Sequence, residues 1–559
     1  MRENTEFVTI YCKNNNLQKE VKMGSSLLDI YEATGSPLKH RPLCARVNNR
    51  VRTLMYRCWQ PKEVYFLDYT ELSGSRTYVR TLCFILSKAV HDLFPGRLFS
   101  LEHSVSKGYY CAFDNREKIS DEAISQIKQR MKEIIAADKP FELKTVRTVE
   151  AVNLFRKFGM DDKAVLLETT GMPYAQYYEL DGYVNYFYEC LTPSAGYVQL
   201  FDIVAYDVGL LLRVPQADNP YELNPVIRQD KMFDEYKRFF DIQHAVNLNN
   251  VGDLNLAIKQ GRASEVVMVS EAIQEKRIAS IAEKIAASYS HKGVRIVLIS
   301  GPSSSGKTTF CKRLQIQLIT NLLHPLAISL DDYYLNRVDT PKDENGKYDF
   351  ESLYAIDLPY FKKDLQRLIA GEEVALPSYN FNTGLRVYKG NKLKMKHNSI
   401  LLLEGIHGLN PELTDNIPPE RIFRVYVSAL TTISLDGHNW IPTTDNRMLR
   451  RIVRDYQFRG YTAKQTISVW PSVRRGEDKW IFPYQENADE MINSAMLYEF
   501  AALRHYAEPI LNEVNENEEE YAEAHRLLRF LKYFNYIYEK ELPGTSLLRE
   551  FLGGGKFKY

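Results

Sequence analysis

The second half of the chain alternates short apolar runs with amphipathic stretches. Residues 294–299, 325–329, 399–403 and 421–427 are apolar runs of strand length, while 307–322 and 358–370 carry helical spacing. Strands apolar along their whole length are buried on both faces, so this alternation predicts an open parallel sheet with helices on either side. The first half has another rhythm. Strand-like residues 7–12 and 18–21 precede Gly24-Ser25-Ser26, which caps a short helix at 27–31, and further strands are expected at 43–47 and 63–68. Strand, strand, helix and strands in so short a span predict a small β-grasp unit over residues 1–72. A second unit over 73–225 opens with a helix at 79–93. Residues 226–292 are expected to be a helical connection, with an amphipathic stretch at 232–240 and a long helix over 271–289 that stops at Gly293. The sheet unit is bounded at 293–510, and 511–559 is a C-terminal helical extension.

Composition adds mainly exclusions. Lys and Arg number 72 against 71 Asp and Glu, so global charge gives no argument for nucleic-acid binding. The start, Met1 to Glu6, is charged and lacks an apolar signal core, and no apolar run reaches membrane-spanning length. The seven cysteines are scattered, with no C-x-x-C pair, which excludes a recognisable disulfide framework and fits a reducing cytoplasm.

Chemistry concentrates where the first apolar run of the sheet unit ends. Val297-Leu298-Ile299-Ser300 leads into Gly301-Pro302-Ser303-Ser304-Ser305-Gly306-Lys307-Thr308-Thr309, the G-x-x-x-x-G-K-[ST] pattern between a strand and a helix. Gly301 and Gly306 let the backbone curl so that successive N–H groups converge on a phosphate, and the helix adds its positive end. Lys307 is placed for the outer phosphates and the Thr308 hydroxyl for Mg²⁺. ATP is therefore the expected ligand of residues 301–309.

Three further blocks follow. Asp331 and Asp332 end the second strand; a carboxylate there faces the ligand crevice and can take the proton of an attacking hydroxyl, although Asp also caps loops and helices. Glu404 ends the apolar run 399–403, where an acid helps hold Mg²⁺. Along 445–459, Leu449, Ile452, Val453 and Tyr456 share one helical face and Arg447, Arg450, Arg451 and Arg454 the other. Such an arginine row serves either a solvated surface or phosphate oxygens, and the spacing does not choose between them.

With these parts, residues 295–510 resemble the phosphoribulokinase/uridine kinase family. The resemblance rests on 301–309, 329–334, Tyr348-Asp349-Phe350-Glu351, 402–406, the arginine block and Ala488-Asp489. It implies an α/β P-loop kinase transferring the γ-phosphate of ATP to a nucleoside hydroxyl, with Asp331 as general base and Glu351 near the ribose. A lid over 445–480 would clamp the phosphates, with Arg447 and Arg451 catalytic and Arg454 on the substrate. Tyr379, Phe381 and Arg386 match the family's base pocket. Gly384 stands where uridine kinases carry a base-reading histidine, so broader nucleoside selectivity is expected.

The front resembles a TGS domain through Ala45-Arg46-Val47-Asn48-Asn49. The second unit resembles the editing-associated α+β domain of threonyl- and alanyl-tRNA synthetases through 89–96, 107–113 and Cys190-Leu191-Thr192-Pro193-Ser194. That domain's helical histidine pair is missing here, and Ser194 replaces its later histidine. No zinc is expected, therefore, even with His91 and His103 in reach of recruitment. The two front units imply contact with tRNA or the ribosome, and no membrane. The alternatives are a kinase of another small sugar or sugar phosphate, and an ATP-binding, RNA- or tRNA-associated regulatory protein. Intact Lys307, Thr308, Asp331 and Glu404 favour catalysis, because a pure binder has no need of Asp331.

Overall fold

The computed structural model describes residues 6–114, 116–344, 346–381 and 383–558. Residues 1–5 of the charged start and Asn382 of the base-pocket stretch lie outside them.

The front unit is a mixed five-stranded sheet in the order Leu17–Lys22, Phe7–Cys12, Lys62–Leu67, Cys44–Val47, Arg50–Thr53. Phe7–Cys12 runs parallel to Lys62–Leu67 and the other pairings are antiparallel, the β-grasp arrangement. Its helix, Leu27–Thr34, starts at a capping box in which Ser26 and Asp29 satisfy each other's backbone N–H, and ends at Gly35 in the left-handed region.

In the second unit the helix is longer than its pattern suggested, spanning Leu72–Leu93. Its first turn lies against the preceding loop: a Cβ on Gly74 would meet the Asp68 carbonyl oxygen at 1.7 Å, so only glycine fits. Beside it stand a four-stranded antiparallel sheet, containing Phe99–Val105 and Gly108–Phe113, and a three-stranded one. The connection is helical, and its last helix, Ala263–Lys292, stops at Gly293 with φ 74°.

The third unit is a five-stranded, wholly parallel sheet in the order His324–Ser329, Ser399–Glu404, Ile296–Ser300, Ile422–Ser428, Glu490–Asn493. The three central strands are the apolar runs; Ile296–Ser300 is buried at every residue. His324–Ser329 lies at an edge, which leaves most of its residues partly exposed. One face is covered by the helix Lys307–Thr320 and the connecting helix, through Phe310, Leu314 and Leu318 against Ile278, Ile281 and Ile285. The other is covered by Leu358–Ile369 through Phe361, Leu365 and Leu368.

Two departures from the sequence pattern bear on the site. The arginine helix, Thr443–Arg459, is not amphipathic in the simple sense: Arg447 and Arg450 are 1% and 0% exposed, while Tyr456 turns outward to Glu513. The C-terminal extension is not an appendage. Its loop touches the front unit through Asn49 and Arg50 on Glu516, and Arg526 pairs with Asp445 of the arginine helix at 2.7 Å. All seven cysteines are free thiols, and among the described residues no helix is long and apolar enough to cross a membrane.

Candidate active site

The site lies beyond the C-terminal ends of the central strands, where an open parallel sheet places its ligand crevice. Ile296–Ser300 delivers Gly301 so close to the next strand that a Cβ would sit 2.0 Å from the Val427 carbonyl oxygen. Ser304 and Gly306 take left-handed φ values of 59° and 82°, which curls the loop into a nest of N–H groups at the start of Lys307–Thr320. Lys307 is 8% exposed and donates from Nζ to the Pro302 carbonyl at 3.2 Å, folded across its own loop.

Three carboxyls surround that ammonium. Asp331 sits in the turn Leu330–Tyr333 that follows the edge strand. Burial raises its pKa, while the charges of Lys307, Arg459 and Arg454 pull the other way. Glu404 ends Ser399–Glu404 and accepts a hydrogen bond from the Thr308 hydroxyl; burial, with Asp331 and Glu550 nearby, pushes it up to about 7 against the pull of Lys307. Glu351 is pushed up to about 7 by burial and by Glu477 and Asp331, with Arg451 and Lys307 opposing. Gly476 makes room for it, because a Cβ there would lie 2.3 Å from the Glu351 Cβ.

The sign of these shifts gives a prediction. Each carboxyl holds its proton to a higher pH than in water, so a reaction that needs them ionised must fail on the acid side. The rate with saturating ATP should climb with pH through about 7, the range in which Glu404 and Glu351 lose their protons. A profile flat from about pH 5.5 to 8 would show that no carboxyl of this trio has to ionise. Glu404 and Glu351 stabilise the unliganded fold fully only below their unfolded pKa, near 4.5, and that contribution is lost as pH rises through about 7.

The arginines divide into two sets. Arg447 is ion-paired with Glu477, Nη2 to Oε2 at 2.7 Å, and donates to the Ser303 carbonyl at 3.1 Å. Arg450 is paired with Glu499 at 2.8 Å and reaches the Ser304 carbonyl at 3.3 Å. Both therefore hold the loop at 301–309 through its carbonyls, and Arg447, buried in its ion pair, is not brought into the open crevice. Arg451 donates to the Ser303 hydroxyl at 3.0 Å, and Arg454 pairs with Asp455 at 2.8 Å. Arg459, 3.6 Å from Asp455, is held down to about 10 by burial and by the neighbouring Arg454 and Arg451. Three guanidiniums thus crowd around one carboxylate on the crevice side. Arg459 was missed in the sequence, although Arg451, Asp455 and Arg459 fall at i, i+4 and i+8 on one helical face.

On the acceptor side, Tyr379 stacks edge-on against Phe381 and Tyr334, with centroids 5.1 and 5.6 Å apart. Arg386 does not point at this pocket. It donates to Asp357 at 3.0 Å and to the carbonyls of Tyr333 and Tyr334 at 3.1 and 3.0 Å, which pins the hairpin to the Asp331 turn. At Gly384, φ is 71° and a Cβ would meet the Arg337 Cβ at 2.7 Å, so the Arg337 side chain fills the space beside that turn. Arg337 donates to the Phe381 carbonyl at 2.6 Å.

The Thr308–Glu404 pair fits Mg²⁺, which binds through one or two protein oxygens and completes its shell from phosphates and water. In the second unit, Cys190 lies 3.6 Å from the Thr77 hydroxyl, and Arg80 donates to its carbonyl. His103 stacks on Tyr236 with centroids 3.7 Å apart, and among the described residues no three metal-ligating side chains converge.

Residues 296–498 match the Phosphoribulokinase / Uridine kinase family. The uridine kinase of Schizosaccharomyces pombe is 34% identical over 30% of this chain and 33% of its own length. The uridine kinase of Halobacterium salinarum is 26% identical over 35% of this chain and 77% of its own. The threonine–tRNA ligase of Natranaerobius thermophilus is 29% identical over 26% of this chain and 22% of its own. The chain covers less than two thirds of the first and third of these relatives. Its C-terminal half carries a P-loop kinase domain of the phosphoribulokinase/uridine kinase family, and its N-terminal region is similar to threonine–tRNA ligases.

Proposed function

We propose that the chain transfers the γ-phosphate of ATP to a hydroxyl of a nucleoside, in the cytoplasm. The observation that carries this reading is the gathering of Lys307, Asp331 and the Thr308–Glu404 pair at one end of a parallel sheet, with Arg451, Arg454 and Arg459 beside them. Residues 301–309 bind the triphosphate through backbone N–H groups, and Lys307 leaves the Pro302 carbonyl for the outer phosphates. Thr308 and Glu404 hold the Mg²⁺, which when bound offsets phosphate charge. Asp331 accepts the proton of the attacking hydroxyl, and the crevice arginines stabilise charge on the transferred group. Glu351, beside Arg451, is assigned to the acceptor's ribose. Arg447 and Arg386 become positioning residues, the first for the phosphate loop and the second for the pocket hairpin.

The acceptor pocket supports a second reading, a sugar phosphate. Its aromatic walls suit a base, but Arg337 places a guanidinium beside Phe381, and such a fork suits an anionic group. An ADP-release screen over uridine, cytidine, adenosine, guanosine and sugar phosphates separates the two. Nucleosides should be accepted with less than about tenfold spread, since no histidine reads the base edge. Turnover confined to sugar phosphates, and lost in Arg337→Ala, overturns the nucleoside assignment. The front half's similarity to threonine–tRNA ligases supports a contact with tRNA ends.

A further inference from the structure

The C-terminal segment returns to the phosphate-binding loop. Glu550 Oε2 accepts hydrogen bonds from the Thr309 backbone N–H at 3.0 Å and its hydroxyl at 2.7 Å, across 241 residues of sequence. Leu547 is pressed onto the loop's second glycine, so that a Cβ on Gly306 would lie 2.6 Å from Leu547 Cδ2. Phe551 packs under the Arg450 guanidinium at 4.9 Å, and the Ser546 hydroxyl lies 3.1 Å from that of Tyr498. The segment therefore meets the loop through Leu547 and Glu550 and is anchored beside it by Phe551 and Ser546, and the carboxylate is the part that touches a backbone N–H.

Thr309 is the third residue of Lys307–Thr320, and its N–H is among those a helix leaves without an internal partner. In a strand–loop–helix phosphate site these N–H groups are the anion donors. On the kinase reading, Lys307 and the curl take the outer phosphates, which leaves the third N–H for the phosphate next along the chain. Here a fixed carboxylate already takes that donor.

Resting on the kinase reading, we infer that Glu550 is an internal competitor for the donor's innermost phosphate and sets the affinity for triphosphates. ATP engages Thr309 only by displacing Glu550, and its departure frees the segment around it. A ligand with two phosphates leaves Glu550 in place.

Calorimetry with a non-hydrolysable ATP analogue and with inorganic pyrophosphate, each with Mg²⁺, tests this on the full chain. Glu550→Gln keeps the side chain's shape and removes its charge. It should lower the Kd for the ATP analogue about tenfold, the scale of one charge-assisted hydrogen bond, and leave pyrophosphate unchanged. A purely structural cap would instead weaken both ligands on substitution. Leu547→Ala, which loosens the same segment, should shift the ATP analogue in the same direction. Hydrogen exchange over 545–552 in the wild type should quicken when the analogue binds. Unchanged or weaker binding in Glu550→Gln, or slower exchange in that segment, overturns the inference and leaves the kinase reading intact. If neither wild type nor Glu550→Gln binds the analogue, both fall.

Discussion

Asp331→Asn is expected to lower the turnover number by about 10²–10⁴, the usual contribution of a general base, with the donor still bound. The substitution keeps the side chain's size in a turn that Arg386 already pins to the acceptor hairpin, so the crevice keeps its shape. What it removes is the proton acceptor. Burial raises the pKa of Asp331, which makes it a better base once ionised, while the charges of Lys307, Arg459 and Arg454 favour the ionised form. Single-turnover phosphoryl transfer to the best acceptor of the screen measures the effect, with calorimetry of the ATP analogue alongside. Wild-type turnover in Asp331→Asn removes the residue from the mechanism. Loss of nucleotide binding as well would mean that Asp331 acts on the loop rather than on the acceptor.

Much of this site was legible because its signals are local. The apolar runs that became the central strands, the loop at 301–309, and the acids Asp331 and Glu404 at strand ends are all read within a dozen residues. What was not legible depends on distant partners. A periodicity scale counts Arg447 and Arg450 as polar and places them outward. They are buried because Glu477 and Glu499, supplied 30 and 49 residues later, neutralise them, and because the loop's carbonyls accept their remaining donors. Glu550 carries no local sign at all. Arg50–Thr53 was missed because its alternating arginines leave every residue half-exposed at a sheet edge, and Glu490–Asn493 because four residues are too few to show a period. Arg386 matched a pattern in sequence, but its hydrogen bonds turn inward.

The same distance problem hid how the two halves of the chain are joined. Between the strand Ile422–Ser428 and the arginine helix, residues 429–442 leave the kinase sheet and lie on the second unit. Leu101 N donates to the Gly437 carbonyl at 2.8 Å, and Asp162 accepts from Gly437 N at 2.6 Å. At the centre, Lys163 and Asp436 form an ion pair of 2.5 Å with side chains 1% and 0% exposed. Asp436 also accepts from the backbone N–H groups of His438 and Asn439 and from the Asn439 amide. Removing one member of such a pair strands the other charge without water, which costs about 3–5 kcal/mol. Asp436→Ala should therefore destabilise the chain by about that amount, and Asp436→Asn, which retains an acceptor, by less. Because residues 429–442 lead directly into the helix bearing Arg451, Arg454 and Arg459, the loss should also appear as slower phosphoryl transfer below the melting temperature. Lys163→Met provides the control: it removes the other charge from the synthetase-like side, and its effect should fall short of additive with that of Asp436→Ala. Fully additive losses in this double-mutant cycle, read by chemical denaturation, would show that the two side chains are not coupled and that the junction is held elsewhere.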